Sequence, residues 1–326
     1  MARKVDVTQI RDELIQAFKE GDEARARAHV FQLGGEPRQV RAALEAMLEA
    51  QEGLVRQAAA FGLGELGGAA SIKRLERQLT IEEARGDHDG HAVAGDITRA
   101  LGRIEGGRAR ASLVRRLERL AAGKPERSDV NELARALWRK RHPELISPVR
   151  KSLEKISLPA PHGLHGLLVL LEKSPEELLA WASDSSVPVG DKARVLAVLE
   201  EDVPGALLPV LPAFIATAHT LVEMAMPQAR RRETENYCER LFSLLLLDKD
   251  RFLPALQQQA RAMLRSVARN LIAATFPLSS LWAVAMLEAV GLPEDAEFVE
   301  AHRPDDPGFA KDFDEVAQAL RGLQKN

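Results

Sequence analysis

The chain of 326 residues carries 45 Lys and Arg against 48 Asp and Glu, a formal net charge of −3, and is 45% apolar but only 4% aromatic. Strands of a β-sandwich draw on aromatic and β-branched residues, so a composition dominated by Ala, Leu, Glu and Arg argues against a β-rich fold and for helices. A single cysteine, Cys238, excludes an intramolecular disulfide and a thiolate metal cluster, and its expected place is the interior of a helix.

Taken in chain order, Met1 to Ile10 are charged and lack the continuous apolar stretch of a secretory signal, which makes the cytoplasm the expected compartment. A phrase then repeats. Val30, followed by Gly34 and Gly35, precedes the apolar series Val40, Leu44, Met47 and Leu48. In the clearest unit, residues 54–79, Val55, Ala58, Ala59, Gly62, Leu63 and Leu66 share one helical face, Gly67 and Gly68 break the helix, and Ile72, Leu75 and Leu79 begin a second face. Leu101, with Gly106 and Gly107 behind it, precedes Leu113, Val114, Leu117 and Leu120; Leu137, with Pro143 behind it, precedes Ile146, Val149, Leu153 and Ile156. Anchored on Val30, Leu63, Leu101 and Leu137, the spacings are 33, 38 and 36 residues, the period of stacked helical hairpins.

The run from Val55-Arg56 through Ala58-Ala59 and Gly62-Leu63-Gly64 to Leu66-Gly67 resembles the HEAT-like repeat of the phycobilisome-lyase type, and residues 22–50 and 91–156 resemble it more loosely. The resemblance implies an all-α protein of the armadillo-like superfamily, a right-handed α-α superhelix (HEAT-like solenoid) with a divergent helical C-terminal part. Regular repeats are expected over 1–156, and divergent repeats with a C-terminal cap over 157–326, continuous with the first part. Likeness at this level is shared by unrelated functions and transfers architecture before activity.

Past residue 157 the pattern thins. Ser174, Pro175 and Glu177 make a capped helix start. Leu168, Leu171, Leu178 and Leu179 suggest one divergent repeat, and Val195, Leu196, Leu199, Leu207, Leu208 and Leu211 another. Longer helices are expected near Ala229–Leu247 and Arg251–Ala274, and a closing helix near Phe309–Leu323. Two uncharged runs, Gly205–Val222 and Asn270–Leu287, are interrupted by prolines and hydroxyl residues, so both read as buried core helices and no membrane partner is expected.

Among enzyme-like features, Asp87-His88-Asp89-Gly90-His91 with Asp96 stands out, because two histidines three apart can share a helix face and hold a metal with carboxylate help. The competing reading makes Asp87 or Asp89 a helix cap. His162 and His165 repeat the spacing and meet the same alternatives. The di-iron hydroxylases of this architecture use His-Glu dipeptides, and none of the eight histidines is followed by Glu. DNA glycosylases of similar fold need an aromatic cleft, for which only Trp138 and Trp181 offer themselves among sparse aromatics, and nothing identifies a bilin site. A phosphate loop and a nucleophile elbow are absent from the sequence.

The charges are distributed unevenly: residues 1–156 hold 29 Lys and Arg against 24 Asp and Glu, residues 157–326 hold 16 against 24. Within the basic part, second helices of successive hairpins carry Arg38 and Arg41; Lys73, Arg74 and Arg77; Arg108, Arg110, Arg115, Arg116 and Arg119; and Arg150, Lys151 and Lys155. In the families this chain resembles, second helices line the concave surface, where such a strip would pair with carboxylates or phosphates. The alternative is a solvated face with local partners Glu76, Glu118 and Glu154. An acidic stretch, Glu294 to Glu315, reads as a soluble cap on the stack.

The expected function is therefore a non-catalytic intracellular scaffold without cofactor or metal. Its basic second-helix strip, Arg38, Arg41, Lys73, Arg74, Arg77, Arg108, Arg115, Arg116, Arg119, Arg150 and Lys151, would bind an acidic protein surface or segment. Nucleic-acid binding through the same strip is the first alternative, weakened by the acidic overall balance. A metal- or bilin-dependent enzyme is the second.

Overall fold

At Gly67 and Gly68 the backbone enters the left-handed half of conformational space, with φ of 64° and 80°, where a side chain is penalised. Those two residues end one helix and start the next within a single step. The computed structural model describes residues 7–34, 36–158, 162–223, 231–274 and 277–323. Among these the regular elements are helices, and no strand occurs. The protein is all-α.

The chain divides into two units, Met1–Leu171 and Glu172–Asn326; the repeat phrase itself fades near residue 156. The first unit contains α1 (Val7–Lys19), α2 (Glu23–Gln32), α3 (Pro37–Met47), α4 (Gly53–Leu66), α5 (Gly68–Arg85), α6 (His88–Arg103), α7 (Gly107–Ala122), α8 (Arg127–Arg139), α9 (Ile146–Leu153) and most of α10 (Gly163–Glu172). A 3₁₀ turn, Pro143–Leu145, leads into α9. Helices α4, α6 and α8 pack side by side in one row, and α5, α7 and α9 in a second. The four anchors read from the sequence, Val30, Leu63, Leu101 and Leu137, are all completely buried.

Small residues let the first row close up. A Cβ on Gly64 of α4 would lie 2.9 Å from Ala100 Cβ on α6, and one on Gly102 of α6 would lie 3.2 Å from Ala136 on α8. Polar ties recur at the same period. Arg27 of α2 donates to Glu65 of α4 at 2.5 Å, Arg99 of α6 to Glu132 of α8 at 2.8 Å, and Arg115 of α7 to Glu76 of α5 at 2.5 Å. Each joins residues one hairpin apart in sequence.

The second unit comprises α11 (Pro175–Ser183), α12 (Val189–Leu199), a 3₁₀ turn (Gly205–Val210), α13 (Leu211–Glu223), α14 (Arg231–Leu247), α15 (Lys249–Ala255), α16 (Gln258–Ala273), α17 (Pro277–Val290), α18 (Asp295–Ala301) and α19 (Pro307–Gly322). Here too helices pair in succession, α12 with α14, α14 with α17 and α17 with α19, while α11, α13 and α16 pack on one another. The capping box read from the sequence is present: Ser174 Oγ accepts from Glu177 N, and the Glu177 carboxylate accepts from Ser174 N. The helix expected over Arg251–Ala274 is two. Pro254 lacks a backbone donor, and Leu256 turns extended at φ −80° and ψ 138°, so α15 ends before α16 begins.

Cys238 is buried in α14, as its sequence environment suggested, and burial pushes its thiol up to about 12. Beside it, the buried Tyr237 donates its hydroxyl to Phe214 O at 2.9 Å. Of the two uncharged runs, the first forms the 3₁₀ turn and α13, whose Leu211, Phe214, Ile215 and Ala218 enter the core of the unit. By length and composition Gly205–Glu223 is also long and apolar enough to cross a membrane. The second run is split between the end of α16 and α17; Thr275 and Phe276 lie outside the described residues.

Candidate functional site

The cations of the second helices separate into two populations, because neighbouring helical residues point about 100° apart. On α5 the apolar edge Ile72, Leu75 and Leu79 faces the core and leaves Lys73 and Arg77 in solvent. Arg74 lies at the margin and donates to Glu49 at 2.9 Å. On α7, Arg108 is exposed, Arg115 is held by Glu76, and Arg119 donates to Glu83 at 2.8 Å. The hydrogen bond to Glu76 raises the Arg115 guanidinium above its ordinary range. Arg38 on α3 is exposed and Arg41 half-buried; Arg150 and Lys151 are exposed on α9. Among the described residues Arg38, Lys73, Arg77, Arg108 and Lys151 make no ion pair, and three adjacent helices, α5, α7 and α9, carry four of them.

Arg116 departs from the strip altogether. It shares a helical face with Leu113 and Leu120, and its side chain is completely buried. Its Nη1 donates to Ala94 O at 3.1 Å and its Nη2 to Asp129 Oδ1 at 3.0 Å, while Nε lies 3.2 Å from Glu83 Oε1. Burial pulls its guanidinium down from the ordinary range, and the two carboxylates oppose that pull. Arg116 is therefore an internal clasp between α5, α6, α7 and α8, and the expectation that it faces a partner is withdrawn.

That clasp floors a cavity of about 200 Å³ lined by His91, Arg119, Lys124, Glu126 and Asp129, among others. His91 Nδ1 lies 3.3 Å from Asp129 Oδ2, and Nε2 lies 3.8 Å from Glu126 Oε1. The two histidines three apart do not converge: His91 turns to this cavity, whereas His88 is 98% exposed at the start of α6. Asp87 serves as the helix cap, accepting from Gly90 N at 2.6 Å. His162 and His165 stack edge to face with centroids 4.7 Å apart. Glu126 and Asp129 went unremarked in the sequence, although the repeat register offered a signal. Leu101 and Leu137 are equivalent, so residue 129 stands at the height of residue 93, half a turn from His91.

No family description and no curated protein matches the chain. Among solved structures it is similar to an engineered protein whose crystal structure comes from a structural genomics consortium. That structure is 14% identical, with 97% of this chain and 99% of that one covered at a TM-score of 0.29, a likeness too loose to carry a fold or a function.

The acidic stretch near the C-terminus is largely engaged within its own unit. Asp295 is completely buried and accepts from Arg265 Nε at 2.6 Å and from Leu292 N at 2.8 Å, with Arg269 also bound to it. These contacts draw the Asp295 carboxyl below its ordinary range against the opposing effect of burial. Arg303 pairs with Asp314, and Arg321 with Glu300.

Proposed function

We propose that the chain is a non-catalytic HEAT-like repeat protein that binds an acidic protein surface or segment through its second-helix cations. The observation that carries this reading is the contrast on adjacent helices. Arg74, Arg115 and Arg119 are consumed in ties to neighbouring elements, whereas Lys73, Arg77, Arg108 and Lys151 stay in solvent with no partner among the described residues. Unpaired cations on adjacent helices keep their full attraction for an incoming anion, because no carboxylate must first be displaced. The succession of hairpins, the buried anchors at one period and the polar ties of the same reach support the repeat reading.

The test replaces Lys73, Arg77, Arg108 and Lys151 together with Glu and measures binding of poly-L-glutamate at low and moderate salt. Arg116 must be left intact, since a glutamate there would face Glu83 and Asp129 in the interior. The wild-type chain is expected to bind with salt-sensitive affinity and the variant to lose at least about tenfold, with an unchanged helical spectrum. Equal binding by both proteins would reject the strip. Preference of the wild-type chain for duplex DNA would replace the acidic partner with nucleic acid.

A further inference from the structure

We propose that His91, Glu126 and Asp129 form a site for one divalent transition-metal ion, with Zn²⁺ its best-fitting occupant. Among the described residues this is the one grouping in which three such side chains each bring a ligand atom within 4.8 Å of the others. One imidazole nitrogen with two carboxylate oxygens is a donor set for a borderline cation, whereas Mg²⁺ prefers oxygen alone.

The spacing fits. Bonds of about 2.0–2.1 Å meeting at a tetrahedral angle separate their donors by about 3.3 Å, and His91 Nδ1 lies 3.3 Å from Asp129 Oδ2. The three ligand atoms lie within 4.8 Å of one another, so reaching the tetrahedral spacing moves the Glu126 carboxylate by at most about 1.5 Å, which its side chain, 62% exposed, does by changing rotamer. The His91 imidazole forms no hydrogen bond to either carboxylate or to any other described residue, so binding an ion at the ring breaks none.

Arg116 is the apparent obstacle, a buried cation beside the proposed one. It meets Asp129 through Oδ1, its Nη1 donates to Ala94 O, and its Nε lies 3.2 Å from Glu83 without a hydrogen bond. This leaves Oδ2 turned toward His91, the arrangement by which a hydrogen-bonded outer partner orients a ligating carboxylate. The cavity supplies what a three-ligand site needs besides its ligands: about 200 Å³ of space, in which water completes the coordination. A bound ion would add a tie between α6 and the start of α8 beside the one Arg116 makes. The proposal does not depend on the basic strip.

The experiment uses the full-length, tag-free chain stripped of metal by chelator and titrated calorimetrically with Zn²⁺, with Mg²⁺ as comparator. Expected are one saturable Zn²⁺ site, a higher melting temperature with Zn²⁺, and no effect of Mg²⁺. His91→Ala and Glu126→Gln should each weaken binding by at least about tenfold, while the helical spectrum stays that of the parent. Both side chains are at least 40% exposed, so the folded state tolerates their loss; should His91→Ala fail to fold, His91→Gln takes its place. Absence of saturable binding at sub-millimolar Zn²⁺ overturns the site. So does a His91 variant that binds as tightly as the parent, since the ion would then sit on other histidines.

Discussion

Arg115 and Arg116 are adjacent in sequence and opposite in consequence. Arg115 is half in solvent, and its bond to Glu76 is the kind of exposed pair that contributes at most about 1 kcal/mol. Removing Arg116 would instead leave Glu83 and Asp129 facing an interior void, and breaking one partner out of a buried pair costs about 3–5 kcal/mol. Urea denaturation of Arg115→Ala and Arg116→Ala should separate by that difference; equal midpoints would mean Arg116 is not clasped. Asp96 on α6 gives a second test at this scale. Burial pushes its carboxyl up to about 6 despite Arg99 at 2.6 Å. The unfolded value is about 3.9, so between the two the folded chain holds the extra proton, and stability contributed by this group is lost as pH rises through that window. Asp96→Asn should flatten that segment of the stability profile in denaturation curves collected from acid to neutral pH; an unchanged slope would assign it to other groups.

Between helices, the close approach of α4 to α6 makes a paired test of packing. Gly64→Ala places a methyl 2.9 Å from Ala100 Cβ and 3.0 Å from its Cα, so the helices must part at a cost of about 1–3 kcal/mol. Gly95→Ala on α6 meets nothing within 4 Å and should stabilise by about 0.5–1 kcal/mol through backbone entropy alone. Thermal melts of the two variants should move in opposite directions. Helix positions of this kind were legible in the sequence because burial imposes a period: the apolar anchors and the glycine breaks fall where the helices meet and end. Arg116 was not, because a charge count ignores angle; its spacing from Leu113 and Leu120 marked it as inward-facing. Glu126 and Asp129 were hidden for another reason. They meet His91 only across one hairpin, a pairing that becomes visible once the repeats are laid over one another. The break at Leu256 was obscured by a helical pattern that continues on both sides of Pro254.

At the scale of the molecule, a recurring set of polar contacts among the described residues joins neighbours one hairpin apart. Arg27 reaches Glu65, Arg99 reaches Glu132, Arg119 reaches Glu83, and in the second unit Arg240 reaches Glu200 and Ser279 reaches Glu239. Such ties act as a ruler, and a ruler is sensitive to where length is added. One extra residue inside α5, between Ile72 and Glu76, would rotate the rest of that helix by about 100° against α4 and α7. Glu76 and Glu83 would slip from Arg115 and Arg119, and Glu82 from the buried Arg56, which it meets at 2.9 Å. The same residue added at Gly123 or Lys124, between helices, would leave every one of those pairs in place. Soluble expression of the second variant and loss of the first is the expected outcome. Changes in length in this chain are thus tolerated by position: the connectors absorb them, and the helices that carry the ruler do not.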